Sequence, residues 1–307
     1  MSKRFADYLL DALGAAAGER AALVADPDRA ATARTVERCA RERGLDVRLV
    51  IGDRDYRREA DMPIEAIEAV DWADLAVLLV ALRRIQFGGH SEFRKRASAR
   101  GARVGFVTHD LADVDAPALA GVAAHTRRVA ASLTAASRAV VTSPRGTRLE
   151  LDVSGRPGVA LTNELAEPGA WGALPEFFEA AVAPVEGTAT GRLVVDGTSL
   201  VTGIASEPME LTVRDGIVTD LRGGRADELR AYLDDAGENA RNLAELGIGT
   251  NRLAPASLTG TFVDKRIGGT VHFGLGDNRG LGGRTRAAIH TDVQVMDATV
   301  ALDGEVL

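Results

Sequence analysis

The chain has 307 residues, 46% hydrophobic and 26% charged, ordinary globular composition with material for two domains or one large one. Its formal net charge is −7 and its basic residues are not clustered, which excludes nucleic acid as the main partner, because phosphate binding needs concentrated positive charge. The most apolar run starts at Leu75 and meets Arg83 and Arg84 after eight residues, far short of the ~20 needed to cross a bilayer, so no membrane partner is expected.

The opening MSKRFADYLLDALG is amphipathic and lacks the long apolar core and small-residue cleavage site of a signal peptide, which predicts a cytoplasmic protein. RAALVAD then reads as a short buried strand, AATARTVERCARERG as a helix ending at glycine, and LDVRLVIG as a strand. PIEAIEAVDWA, LAVLLVAL, SEFRKRASARG, ARVGFVT and a long Ala-rich helix through VAASLTAASR continue the alternation. Strand followed by helix, repeated four times, predicts a parallel sheet with both faces covered, a Rossmann-like α/β domain over residues 1–138. The lone Cys39 sits in a helical run and reads as a buried thiol.

The loops of this half do not support nucleotide binding. After the first strand comes ADPDRAATA, where a dinucleotide fold needs G-x-G-x-x-G so that the backbone can approach a pyrophosphate, and no G-x-x-x-x-G-K is present. GLGDNRG, near residue 274, misses the first spacing by one and opens no predicted helix.

From Ala139 the pattern changes. AVVTSPRGTRLELDV, GRLVVDGTSLVTG and MELTVRDGIVTDLRGG read as hairpins, DELRAYLDDAGENARNLAEL supplies one helix, and glycines punctuate at turn intervals. Residues 139–307 are expected to form an α+β, mainly antiparallel and partly barrel-like domain.

Within this half, Glu245 falls in RNLAELGIGTN, His272 in GGTVHFGLGDN, and His290 and Asp292 in AAIHTDVQV. Two residues apart on a strand, His290 and Asp292 share a face. A carboxylate inside an apolar strand needs a partner or a cation. Two imidazoles and two carboxylates converging would suit zinc, manganese, cobalt or iron.

GENARNLAELGIGTN, DKRIGGTVHFGLGDNRGLGG and IHTDVQVMDATVALDG together resemble the C-terminal signature of the aminopeptidase T family of metallopeptidases. Upstream, the stretch ending EFFEAAVAPVEG resembles the segment that carries that family's first glutamate, and GGHSEFRKRASARGARV its histidine followed by an Arg-rich helix. The resemblance implies a metal-dependent aminopeptidase-like hydrolase, a homodimer, acting on a small-molecule or peptide substrate through one or two divalent ions (zinc, cobalt or manganese). Two glutamates, two histidines, an aspartate and a tyrosine hold two metals in those enzymes. Carried over, this points to Glu245, His272, His290 and Asp292 as ligands and Glu179 as ligand or catalytic base, with Glu176 as its competitor.

Two positions depart from that pattern. Arg279 stands seven residues after His272 where the tyrosine is expected, and the frequent D-E-K is here Asp264, Lys265 and Arg266. A sister branch of the same fold cleaves dihydroxypyridine rings with a single ferrous ion and oxygen. It resembles this chain in its H-x-D, but carries a histidine where Glu245 stands and lacks a counterpart to His272. For that alternative, a mononuclear Fe(II) dioxygenase, the set His272, His290 and Asp292 is the 2-His-1-carboxylate candidate. By the resemblance His90 is a candidate catalytic donor; His109, after a predicted strand, is assigned a structural role, and His125 lies mid-helix and is expected to be exposed.

Overall fold

The computed structural model describes residues 2–52, 63–79, 89–111 and 114–307. It separates into two units, Met1–Ala120 with Thr162–Phe177, and Gly121–Leu161 with Phe178–Leu307. A single cut at 138 is therefore replaced by several crossings. The helix expected to close the first domain straddles the boundary, and a later segment returns to the first unit.

The first unit is built on a five-stranded parallel sheet of order β2-β1-β3-β4-β8. Its strands are β1 (Arg20–Ala25), β2 (Asp46–Ile51), β3 (Leu75–Leu79), β4 (Arg103–Val107) and the returning β8 (Trp171–Leu174). β3 and β4 are buried at every position, as strands are when both faces of a sheet are covered. The predicted helices form as α1 (Lys3–Ala12), α2 (Ala30–Glu42), α3 (Ile64–Trp72) and α4 (Gly89–Ala99). Ser2 caps α1 by accepting from the Phe5 N–H at 3.2 Å, and Cys39 is buried on α2. No helix among the described residues is long and apolar enough to cross a membrane.

The second unit places its antiparallel strands in two seven-stranded sheets, as the mainly antiparallel pattern predicts. One has the order β14-β13-β10-β6-β5-β18-β19, built from β5 (Arg138–Thr142), β6 (Arg148–Asp152), β10 (Thr190–Val195), β13 (Met209–Arg214), β14 (Ile217–Arg222), β18 (Thr299–Leu302) and β19 (Glu305–Val306). The other has the order β12-β11-β17-β16-β15-β9-β7. It comprises β7 (Val159–Leu161), β9 (Glu179–Val182), β11 (Thr198–Ser199), β12 (Gly203–Ile204), β15 (Leu243–Gly249), β16 (Val271–Gly276) and β17 (His290–Val295). Most of α5 (Ala116–Ala135) and all of α6 (Ala226–Ala236) belong to this unit. Gly237, at φ 75°, ends α6, so the chain is free to return as β15 and Glu245 lies on a strand.

One hydrophobic core joins the two sheets: Val141, Leu149, Leu193 and Leu211 from the first meet Leu246, Phe273, Val293 and Val295 from the second. Because side chains alternate along a strand, placing Val271, Phe273 and Leu275 in this core sends His272, Gly274 and Gly276 to the opposite face of the sheet. Phe273 is fully buried. Phe273→Ala is expected to destabilise the protein by about 3–5 kcal/mol, read as a shifted midpoint in urea unfolding with the ionisable residues of the other face unchanged.

Candidate metal centre

The register of the second sheet sets the site. Antiparallel partners lie on one face, and the pairs are Glu179 with Gly249, Gly247 with His272, Glu245 with Gly274, Gly274 with Asp292, and Gly276 with His290. Each ionisable side chain thus faces a glycine across the strand. The glycines make room. A Cβ on Gly247 would stand 2.0 Å from His272 Nε2, and one on Gly274 would stand 2.7 Å from both Glu245 Cβ and His290 Cε1.

Freed of that bulk, four strands bring their side chains together. His290 Nε2 lies 2.8 Å from Glu245 Oε2 and 3.3 Å from Asp292 Oδ1. His272 Nε2 lies 3.2 Å from Glu245 Oε1 and 3.5 Å from Glu179 Oε2. Glu179, Glu245, His272 and Asp292 are buried, while the His290 side chain keeps 20% of its surface. Two triads have ligand atoms close enough to share an ion, Glu179–Glu245–His272 and Glu245–His290–Asp292, with Glu245 in both. The alternative set of His272, His290 and Asp292 does not form such a triad among the described residues; the structure groups Asp292 with Glu245 instead.

The donors fit a divalent cation. His290 Nδ1 lies 2.6 Å from the carbonyl oxygen of Asp277, which only accepts, so Nδ1 carries the hydrogen. Nε2 then faces two carboxylates, an arrangement that is repulsive unless a proton or a metal lies between. Glu179 Oε2 and Asp292 Oδ1 are buried with no hydrogen bond of ordinary geometry, as is His272 Nδ1.

A sixth ionisable group enters this cluster from the turn at Phe262–Arg266. Lys265 Nζ is 3.1 Å from Asp292 Oδ2 and 3.7 Å from Glu179 Oε2. Burial alone would lower its pKa, but Asp292, Glu179 and Glu245 outweigh it and keep the ammonium protonated. Burial raises the Glu179 carboxyl against the pull of Lys265 and His272. It would raise Glu245 and Asp292 too, but Lys265 with the histidines holds Glu245 well below the usual range, and Lys265 with His290 brings Asp292 to about 2. Burial would lower His290, yet Asp292 and Glu245 raise it well above its ordinary value.

The loop before β17 holds His290 through Asp277. Glu186 ties it down: Arg284 N–H and Asn278 Nδ2 donate to Glu186 Oε1 at 2.7 and 2.9 Å, and Arg156 pairs with Oε2. Burial alone would raise the Glu186 carboxyl, but Arg284, Asn278 and Arg156 bring it to about 2. Arg279 does not replace the missing tyrosine as a ligand; its guanidinium pairs with Asp277 Oδ2 at 2.6 Å.

Of the two upstream acids, Glu179 reaches the cluster. Glu176 belongs to the other unit, with its Oε1 3.2 Å from His109 Nε2, while His109 Nδ1 is 2.8 Å from Thr108 Oγ1. His90 falls within α4, and its side chain lies outside the described residues. His125 is half-buried on α5 rather than exposed. Lys265, first visible only as a departure from a motif, carries a signal of its own: it is one of three lysines where the other basic residues are arginine.

Residues 21–307 match the family model described as NicX, 2,5-dihydroxypyridine 5,6-dioxygenase. The match is to the sister branch rather than to the aminopeptidase T family that the motifs resemble. Among solved structures, the fold is similar to that of 2,5-dihydroxypyridine dioxygenase from Pseudomonas putida KT2440, with a TM-score of 0.76 and 20% identity over 99% of this chain and 94% of that one. It is also similar to wild-type AmpT from Thermus thermophilus, with a TM-score of 0.69 and 16% identity over 99% of this chain and 97% of that one. At these identities the likeness establishes a shared fold. No curated protein matches the chain.

Two outcomes test the site's construction. Gly274→Ala, which crowds Glu245 and His290 at once, is expected to weaken divalent-metal affinity at least about 10-fold, measured by titration of the metal-stripped protein, with its circular dichroism unchanged. Glu186→Gln is expected to cost about 1–3 kcal/mol at neutral pH. Because the folded pKa of Glu186, about 2, lies below the ordinary 4.5, this contribution is complete above pH 4.5 and fades as pH falls toward 2, so the denaturation curves of variant and parent should converge there.

Proposed function

Because the chain belongs, across residues 21–307, to the 2,5-dihydroxypyridine 5,6-dioxygenase family, we propose that it is a metal-dependent oxygenase acting on a dihydroxylated aromatic heterocycle. Glu245, His290 and Asp292 would hold one ferrous ion. The observation that carries this reading is His290: its Nδ1 is committed to the Asp277 carbonyl, leaving Nε2 aimed at Glu245 and Asp292. When bound, ferrous iron supplies redox chemistry toward oxygen and open positions for a chelating substrate.

The surrounding residues have separable tasks. Asp277 fixes the His290 ring and tautomer through its carbonyl. Lys265 keeps Asp292 and Glu245 ionised and therefore able to ligate. Glu179, whose carboxyl is raised by burial, is the group suited to accept a proton from a substrate hydroxyl and hold it at Oε2. Leu246, Phe273 and Val293 seal the sheet's other face in the core, which keeps water from reaching the site through the sheet.

A second reading, hydrolysis of an amide by a metal-activated water, is favoured by one observation. The Glu179–Glu245–His272 triad shares Glu245 with the first, so the two triads together would supply donors for a pair of ions. Anaerobic purification followed by loading with Fe(II), Zn(II), Co(II) or Mn(II) distinguishes the two. Oxygen uptake with loss of the ring absorbance of 2,5-dihydroxypyridine or a related diol, only with iron and reduced at least about 100-fold in His290→Ala, is the expected result. Oxygen-independent release of amine from an aminoacyl amide, with zinc or cobalt and no oxygen uptake on any diol, would overturn it.

A further inference from the structure

A buried ammonium stands beside the candidate ligands, and its position bears on more than their ionisation. Lys265 is not a surface lysine folded inward by chance, because the turn carrying it is built. The Asp264 carboxylate accepts from Thr259 N–H at 2.9 Å, Thr259 Oγ1 at 2.7 Å, Gly260 N–H at 2.8 Å and Thr198 Oγ1 at 2.6 Å. Gln294, on the ligand-bearing face of β17, donates from Nε2 to the Asp264 carbonyl at 2.9 Å and to Thr270 Oγ1 at 3.0 Å. Gly249 packs so close that a Cβ there would lie 2.6 Å from the Lys265 carbonyl oxygen. These contacts fix the backbone of the turn from which the ammonium reaches its place.

That place is between the two triads. Nζ touches Asp292 Oδ2, a member of one, and approaches Glu179 Oε2, a member of the other. Asp292 Oδ1 stays on the His290 side, 3.3 Å from Nε2. Three carboxylates and one ammonium leave two negative charges, which one divalent ion neutralises. A second ion in the Glu179–Glu245–His272 triad would share the Glu179 carboxylate with a fixed positive charge and leave the buried cluster with two excess positive charges.

We propose that Lys265 is the resident second cation of this centre: its ammonium substitutes for a metal on the Glu179 side and limits the site to one divalent ion, held by Glu245, His290 and Asp292. The inference rests on the reading of the cluster as a metal centre. It leaves His272 and Glu179, both buried, beside the metal rather than as ligands of a second one.

The test is stoichiometric. Metal-stripped wild-type protein is titrated with Mn(II), and bound metal per chain is measured by elemental analysis together with the electron paramagnetic resonance spectrum. One ion per chain with the six-line signal of isolated Mn(II) is expected for the wild type and for Lys265→Arg, which keeps the charge. Lys265→Gln is expected to double the count to two, with a spin-coupled spectrum. Where Lys265→Gln fails to fold, Lys265→Glu folded in the presence of Mn(II) is read in the same way, and the wild-type count stands by itself as a test. Two ions in the wild type, or one ion in a folded Lys265→Gln at saturating Mn(II), overturns the assignment while leaving the metal centre intact. No bound ion in the wild type overturns both.

Discussion

Three carboxylates on one buried face of a sheet are the constraint around which the second unit is organised. Two like charges 4 Å apart repel by about 4 kcal/mol at an effective dielectric constant near 20, and removal from water adds to that cost. Glu179, Glu245 and Asp292 can coexist only if positive charge is fixed among them. Lys265 supplies one unit: it holds Glu245 and Asp292 ionised and opposes the upward push of burial on Glu179. The remaining positive charge comes from a proton on His290 or from a metal.

The same constraint explains the glycines. Most glycines in the chain mark turns, and many sit at positive φ, as in Gly237 and Gly282. Gly247, Gly249 and Gly274 lie inside strands and are absent from that group. They cost the strands packing and entropy; Gly247 and Gly274 return space for an imidazole or a carboxylate leaning across from the next strand, and Gly249 for the backbone of the turn that carries Lys265. The sheet is therefore two-sided in an unusual sense. One side is a conventional apolar core, and the other is a buried polar surface whose side chains alternate with gaps.

Part of this was legible in the sequence because it depends on period alone. His290 and Asp292 share a face for any strand, and the apolar neighbours of Glu245 and His272 marked them as ionisable groups inside a sheet. The alternation of strand and helix in the first half likewise announced a parallel sheet. What could not be read depends on long-range pairing. β8 is a four-residue strand among Gly, Trp and Pro, and its membership in the parallel sheet is decided by its register with β4, across more than sixty residues of intervening chain. The same return explains why no single cut separates the units. The grouping of Asp292 with Glu245 rather than with His272 follows from β16 lying between β15 and β17, so that the side chains flanking Gly274 converge over it.

Lys265 and Arg279 gain their meaning from charge taken over the whole cluster. The ligand set implied by the aminopeptidase resemblance carries three carboxylates and one tyrosine oxygen, four negative charges against two divalent ions when the tyrosine ligates as its anion. In this chain Arg279, paired with Asp277, stands where the resemblance expects that oxygen, and Lys265 brings a positive charge to the acids. Removing one negative charge and adding one positive charge shifts the sum by two units, the charge of one divalent ion. The two substitutions lie fourteen residues apart on separate turns, and neither touches the other's partners. Electrostatic neutrality connects them under the proposal above: a centre that lacks the anionic tyrosine of the aminopeptidase set and carries a fixed cation would be balanced by one metal.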